Sequence, residues 1–224
     1  MPEIYLLLKQ RAQDLGADLF GVADITQLSP NDILIAPHTM SGMQRAVVIG
    51  VKLLDGVLND IIDSPTQLYF HHYRQINFQL DRIALEVGKL IEKQGARAIT
   101  IAASQLIDWQ KQQGHISHRA LGQKAGLGWR GRNNLLINPI FGARIRLVSV
   151  LTDLELPADS PLKQDCGDCR ACIKACPAES IKENLEDFDT LSCMAKLKEF
   201  QKQGLVSQMI CGVCVKACRG GKKS

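Results

Sequence analysis

All eight cysteines of this 224-residue chain lie between Cys166 and Cys218, and the first 165 residues contain none. The densest part reads Cys166-x2-Cys169-x2-Cys172-x3-Cys176-Pro177. At this spacing three successive thiolates can close round one iron–sulfur cubane, while the fourth is led away to serve a second. Zinc knuckles pair two separated CxxC units instead of chaining three contacts, so the pattern favours [4Fe–4S] chemistry over zinc. Such clusters pass electrons.

The pattern recurs. Cys169, Cys172 and Cys176 are matched 42 residues later by Cys211, Cys214 and Cys218, each run ending in Lys-Ala-Cys. A repeat of this kind is the mark of a two-cluster ferredoxin. The counterpart of Cys166 is Gln208, and the one cysteine outside the repeat, Cys193, replaces it from a helix expected over 187–203. One interlocked assignment groups Cys166, Cys169, Cys172 and Cys218 against Cys176, Cys193, Cys211 and Cys214. The alternative keeps Cys176 with the first three and Cys218 with Cys193, Cys211 and Cys214. The Cys176-Pro177 exit, taken as the head of a departing helix, favours the first. The second repeat ends Cys218-Arg219-Gly220 without the proline. Lys174 and Lys216 recur at matching places, either as solvated lysines or as charges near the clusters.

The other residues set bounds. Hydrophobic residues make up 46% of the chain, enough for a core of ordinary size, and the formal net charge of +4 is too slight to signal a nucleic-acid partner. Aromatic residues are 5%, which speaks against a base-stacking surface. No apolar run is long enough to span a membrane, and the N-terminus lacks a signal-peptide pattern, so a cytoplasmic protein with reduced thiols is expected. A polar stretch with two prolines, 155–165, reads as a linker, dividing a 1–155 pocket domain from a 156–224 ferredoxin-like domain. Helices are expected over 3–16, 78–94 and from a Ser117 cap through Ala125, and strands over 17–25, 46–53, 97–103, 135–138 and 143–152. The fold class is α/β, a sheet covered by helices.

The stretch from His115 to Asp153 is the most distinctive outside the cysteines. Gly126-Leu-Gly128-Trp129-Arg-Gly131 matches G-x-G-x-x-G, but it follows a helix and precedes a strand, the reverse of a dinucleotide-binding turn. The readings that stand are a tight turn anchored by Trp129, or a glycine loop admitting a flat ligand to the backbone. This stretch (AGLGWRGRNNLLINPIFGARIRLVSVLTDLEL), the linker and CGDCRACIKACP together resemble the epoxyqueuosine reductase family. The likeness runs back through Tyr73-Arg74 and the 78–94 helix. It implies a nitroreductase-like domain holding a cobalamin and fed by a double-cluster ferredoxin domain, the architecture shared with reductive dehalogenases. Under that resemblance Gly126, Gly128, Trp129, Gly131 and Asn133 are the cofactor-binding candidates.

The chain departs from the family pattern in three places. The tRNA-modifying members carry a further helical-repeat region, whereas this chain stops at Ser224. The place of the family's catalytic aspartate falls on Gln112. The segment that follows reads Gly114-His115-Ile-Ser-His118. Candidate acids and bases are therefore Asp108, His115 and His118, since imidazole suits proton transfer near neutrality. In His71-His72-Tyr73 the adjacent histidines point in two directions on a helix, which excludes a joint metal site, though one of them could line the pocket. Three functions compete. The first is an iron–sulfur oxidoreductase, drawing on a ferredoxin or flavodoxin and reducing a small molecule. The second is an electron carrier with no substrate of its own, and the third a tRNA-modifying epoxyqueuosine reductase. A nucleic-acid partner is not expected, and neither is a membrane.

Overall fold

A computed structural model describes residues 3–28, 33–108 and 113–221. Two compact units emerge, and a single cut does not separate them. One comprises Met1–Val51, Asn77–Leu127 and Arg146–Leu162, and the other Lys52–Ile76, Gly128–Ile145 and Lys163–Ser224. The division does not follow a single boundary at 155, since two segments from the first 155 residues group with the cysteines. Residues 155–162 also belong to the first unit. There the Asp159 carboxylate accepts hydrogen bonds from Tyr5 Oη at 2.9 Å and Val22 N at 2.8 Å, which fixes a stretch expected to be a linker.

The first unit is built on a four-stranded sheet of order β1-β2-β6-β3, with β1 Leu19–Asp24, β2 Arg45–Lys52, β3 Ala98–Ile101 and β6 Ile145–Thr152. β1 pairs antiparallel with β2, from Leu19 opposite Gly50 to Asp24 opposite Arg45, and β3 pairs antiparallel with β6. The two inner strands are buried along nearly their whole length, as apolar runs such as Ala46-Val-Val-Ile49 require when both faces are covered. The helices are α1 Glu3–Asp14, α2 Pro37–Met40, α5 His118–Lys124 and the part of α4 Gln67–Lys93 from Asn77 onward. Ser117 caps α5 as expected, its hydroxyl accepting from Ala120 N.

Helix α4 begins eleven residues before the expected Phe78. Its buried stripe of Leu80, Ile83, Ala84, Val87 and Ile91 continues N-terminally through Tyr69, Tyr73 and Ile76 at the same three- and four-residue steps. Polar neighbours between the tyrosines hide that extension in the sequence, and Thr66 starts the helix by accepting from Tyr69 N.

The second unit holds the short helix α3 Asp55–Asn59 and the hairpin of β4 Trp129–Arg130 with β5 Leu136–Ile137. The cysteine region adds α6 Ala171–Ala175, α7 Thr190–Lys202 and α8 Val213–Ala217. The repeat is visible as α6 and α8, five residues each and packed together. Cys176 caps the end of α6, not the head of a helix as expected, in extended backbone with ψ 113°. Proline at the next position forces that exit. Cys218 leaves α8 the same way, with ψ 115°, although no proline follows it.

Candidate functional site

The eight thiols fall into two sets when each is assigned by the sulfurs whose charge acts on it. Cys172 is pushed up to about 11, first by burial and then by Cys218, Cys166 and Cys169. Cys211 is also raised to about 11 by burial, with Cys193 and Cys176 adding to it. Cys214 is driven higher by burial, then by Cys211, Cys193 and Cys176, and least by Cys172 of the other set. The sulfurs brought together are thus Cys166, Cys169, Cys172 and Cys218 on one side, and Cys176, Cys193, Cys211 and Cys214 on the other. Each set takes one cysteine across the repeat. Among the described residues, no three His, Cys, Asp or Glu side chains converge on the place of a single metal ion.

Hydrogen-bond donors are already aimed at these sulfurs. Backbone N–H groups of Gly220 and Ala143 reach Cys218, and that of Val213 reaches Cys211. Trp129 Nε1 lies 3.5 Å from Cys166 Sγ, and its ring packs with Ile137, Ala143, Leu135 and Cys218. Ser180 Oγ lies 3.3 Å from Cys176 Sγ and also bonds Cys193. Sulfurs that repel one another, with donors pointed at them, suit an iron–sulfur core, whose cations offset thiolate charge and whose sulfurs accept such bonds.

Arginines hold the ligand loops. Arg132 donates to Cys169 O at 3.0 Å, Gly167 O at 2.9 Å and Glu183 O at 2.6 Å, so one planar fork spans the turn that carries Cys166 and Cys169. Arg144, 7% exposed, pairs with Asp55 at 2.6 Å and donates to Lys216 O at 2.6 Å in the last turn of α8. Lys216, half-buried, turns its ammonium to the carbonyls of Ile61 and Asn59, whereas Lys174 is exposed. No spacing in the sequence marks Arg132 or Arg144, because each acts through partners distant in the chain, and nothing in the pattern around Cys176 singles out Ser180 four residues on. Arg132→Ala is expected to cost about 2–3 kcal/mol and to lower the iron retained after anaerobic desalting. Arg132→Lys should not restore it, since an ammonium cannot span three carbonyls.

The glycine loop admits no ligand. A Cβ on Gly126 would sit 2.5 Å from Ser160 O, one on Gly128 2.7 Å from the Ile137 carbonyl carbon, and one on Gly131 2.7 Å from Ile137 Cδ1. The space beside Gly126, Gly128 and Gly131 is filled by the chain itself, whereas Trp129 borders an open cavity of 590 Å³ with Pro139, Gln164, Asp165 and Gly221. Asn133 holds the turn through Leu135 N at 3.2 Å, while its buried Nδ2 has no partner. The backbone at Gly126, Gly128 and Gly131 leaves no room for a corrin laid against it.

The catalytic candidates are scattered. In the first unit, adjoining cavities of 210 and 440 Å³ share Ile101, Ala102, Gln105 and His115, and Asp81 lines the larger. The larger is of small-molecule size. His115 therefore faces open space. Asp108 is outside both walls, in a bridge with Gln113. His118 borders the smaller cavity, but Nδ1 is 2.8 Å from Ser149 Oγ and Nε2 2.9 Å from Ala102 O. Burial holds its pKa below the usual 6.5, with the Ala102 carbonyl working against that shift. Both ring nitrogens are thus engaged within the protein, and the ring adds to the packing of the cavity wall. His118→Ala is expected to cost about 2–4 kcal/mol at pH 7.5 in urea unfolding. With the folded-state pKa lowered, the wild-type advantage is full above 6.5 and shrinks as pH falls through the folded value. In the second unit His72 is buried and accepts from Leu54 N at 3.0 Å, while His71 is exposed, so neither lines the cavities. Gln112 lies outside the described residues.

No protein-family model matches the chain. A curated epoxyqueuosine reductase from a Synechococcus strain is 42% identical over 220 residues, 84% of this chain and 64% of that protein. The chain belongs to the epoxyqueuosine reductase-like family. The Aliivibrio fischeri enzyme of that name is 32% identical over 154 residues, covering 66% of this chain and 38% of that protein. This member of the family thus spans less than two thirds of these relatives' lengths. Among solved structures, epoxyqueuosine reductase from Streptococcus thermophilus covers 98% of the chain, with 66% of its own length matched, at TM-score 0.68 and 18% identity. A catabolic reductive dehalogenase in complex with 3-bromo-4-hydroxybenzoic acid covers 96%, with 31% of its own length matched, at TM-score 0.75 and 19% identity. An epoxyqueuosine reductase with an epoxyqueuosine-modified tRNA stem loop covers 85%, with 56% of its own length matched, at TM-score 0.56 and 20% identity. That last neighbour binds nucleic acid, against the expectation that this family member has no such partner. Among the described residues no helix is long and apolar enough to cross a membrane.

Proposed function

We propose that the chain is an iron–sulfur reductase that carries two [4Fe–4S] clusters, one on each four-cysteine set, and reduces a substrate with electrons from a ferredoxin- or flavodoxin-type donor. The observation that carries this reading is the grouping of eight cysteines, all but Cys169 at least half-buried, into two sets of four that each exchange one cysteine across the repeat. The clusters supply single electrons. The chain's own residues shield the sulfurs from water, clamp the ligand turns through Arg132 and Arg144, and donate hydrogen bonds from Trp129, Ser180 and backbone amides. His115, at the wall of the 440 Å³ cavity, is the one proposed acid that faces open space.

For the substrate, the names of the relatives favour epoxyqueuosine in tRNA over an unassigned small molecule, and over a carrier without a substrate. Removing an epoxide oxygen as water takes two electrons and two protons, a demand that two one-electron centres suit. A corrinoid acceptor is supported by a B12-dependent reductive dehalogenase of the same fold, at TM-score 0.66 and 20% identity. The glycine loop does not supply its cradle. Anaerobic purification should give about eight irons per chain, and metal analysis of the same sample reads cobalt. Incubation with an epoxyqueuosine-bearing stem loop and a chemical reductant should yield queuosine. An unchanged nucleoside on iron-replete protein would sink the tRNA reading, and zinc in place of iron would sink the reductase reading.

A further inference from the structure

The repeat makes the two cysteine sets alike in spacing, but the side-chain donors around them differ. On the first set the indole Nε1–H of Trp129 points at Cys166 Sγ from a ring only 5% exposed. On the second, the hydroxyl of Ser180, 1% exposed, lies between Cys176 and Cys193, two members of one set from different chain segments. Ser180 is fixed in place because its carbonyl accepts from Asp189 N at 2.9 Å, and Asp189 caps α7, the helix that carries Cys193.

We propose that Trp129 and Ser180 set the reduction potentials of the two clusters separately, each through one hydrogen bond to a ligand sulfur. This rests on the reading that each set holds a [4Fe–4S] cluster. Gaining an electron makes a cluster more negative, so an N–H or O–H donated to its sulfur stabilises the reduced state and raises the potential. Ser180 is shut off from water, so no solvent molecule takes its place when it is removed, and a low local dielectric strengthens its effect; Trp129, itself 5% exposed, borders an open cavity with Pro139, Gln164 and Asp165. The clusters are thereby tuned independently, and the chain holds two one-electron steps of different depth.

The test uses the full chain, purified anaerobically with its iron complete, in potentiometric titrations followed by electron paramagnetic resonance. Trp129→Phe should shift one midpoint downward by about tenfold in the reduction equilibrium, ~59 mV for a one-electron couple, and leave the other in place. Ser180→Ala should do the same to the other midpoint, and Ser180→Thr, which keeps the hydroxyl, should retain the wild-type value. Unmoved midpoints in iron-replete variants, or both midpoints moving together, would overturn the proposal. Should a variant shed iron, the wild-type chain decides instead. Hyperfine coupling of the reduced clusters to indole 15N and to serine 17O is expected, and its absence counts against the assignment. A wild-type chain without iron would reject the underlying cluster reading and not the tuning.

Discussion

Alanine at Cys176 and Cys193 together is expected to leave about four irons per chain, one whole cluster, whereas alanine at Cys193 and Cys218 together should leave none. If each run kept its own fourth cysteine, the two outcomes would be exchanged, so iron analysis of two variants decides the connectivity. The expectation follows from how the helices end. Cys176 and Cys218 each leave a five-residue helix in extended backbone, so each sulfur is carried away from the turn that holds the preceding cysteines of its own run. Because α6 and α8 pack together, the sulfur leaving one helix arrives at the other run. The electrostatic grouping agrees, since Cys218 is acted on by Cys166 and Cys169, and Cys193 by Cys176. Removing two ligands of the same set loses one cluster. Removing one ligand from each set strips both, as a cubane left with three thiolates and an open corner is the one expected to fall to oxygen or chelator. Spectra of the first variant should also retain only the cluster whose potential answers to Trp129.

What the sequence made legible was what local spacing encodes. Chained cysteines reveal their metal because ligand geometry constrains separation along the chain, and the 3.6-residue stripe reveals the body of α4 because burial repeats with the helix. Contacts between distant segments leave no such trace. Residues 52–76 and 128–145 join the cysteine unit through Arg144 with Asp55, and through Lys216 with the carbonyls of Ile61 and Asn59, none of which has a spacing signature. The glycine motif misled for a related reason. Glycine marks where backbone must come close to something, and at Gly128 that something is the backbone of Ile137 across a hairpin. His118 carried the right chemistry for catalysis, yet Ser149 and Ala102, far along the chain, occupy both of its nitrogens.

The hairpin turn at Gly142 gives the second large effect. Gly142 has φ +65°, a left-handed conformation that costs a residue with a Cβ about 1–2 kcal/mol. Its N–H and C=O are both bonded to Asn138, so the turn cannot rotate away. A Cβ there would press into the carbonyl of Cys218, 2.7 Å from its carbon and 2.7 Å from Gly220 N. The atoms in the way are backbone on both sides, and that backbone carries a sulfur of the first set. The tail is held further by Gly221 N donating to Pro139 O at 3.2 Å. Gly142→Ala must therefore either break the turn or push Cys218 out of reach of Cys166, Cys169 and Cys172. The expected result is a loss of about 3 kcal/mol or more in stability, the strain and the clash together, with iron falling to about four per chain. Gly204→Ala is the control: its φ of +74° carries the same conformational strain, but nothing lies within 4 Å of its Cβ. That variant should lose only about 1–2 kcal/mol and keep its full iron. Equal iron loss in both variants would mean that backbone strain, and not displacement of Cys218, governs assembly of the cluster.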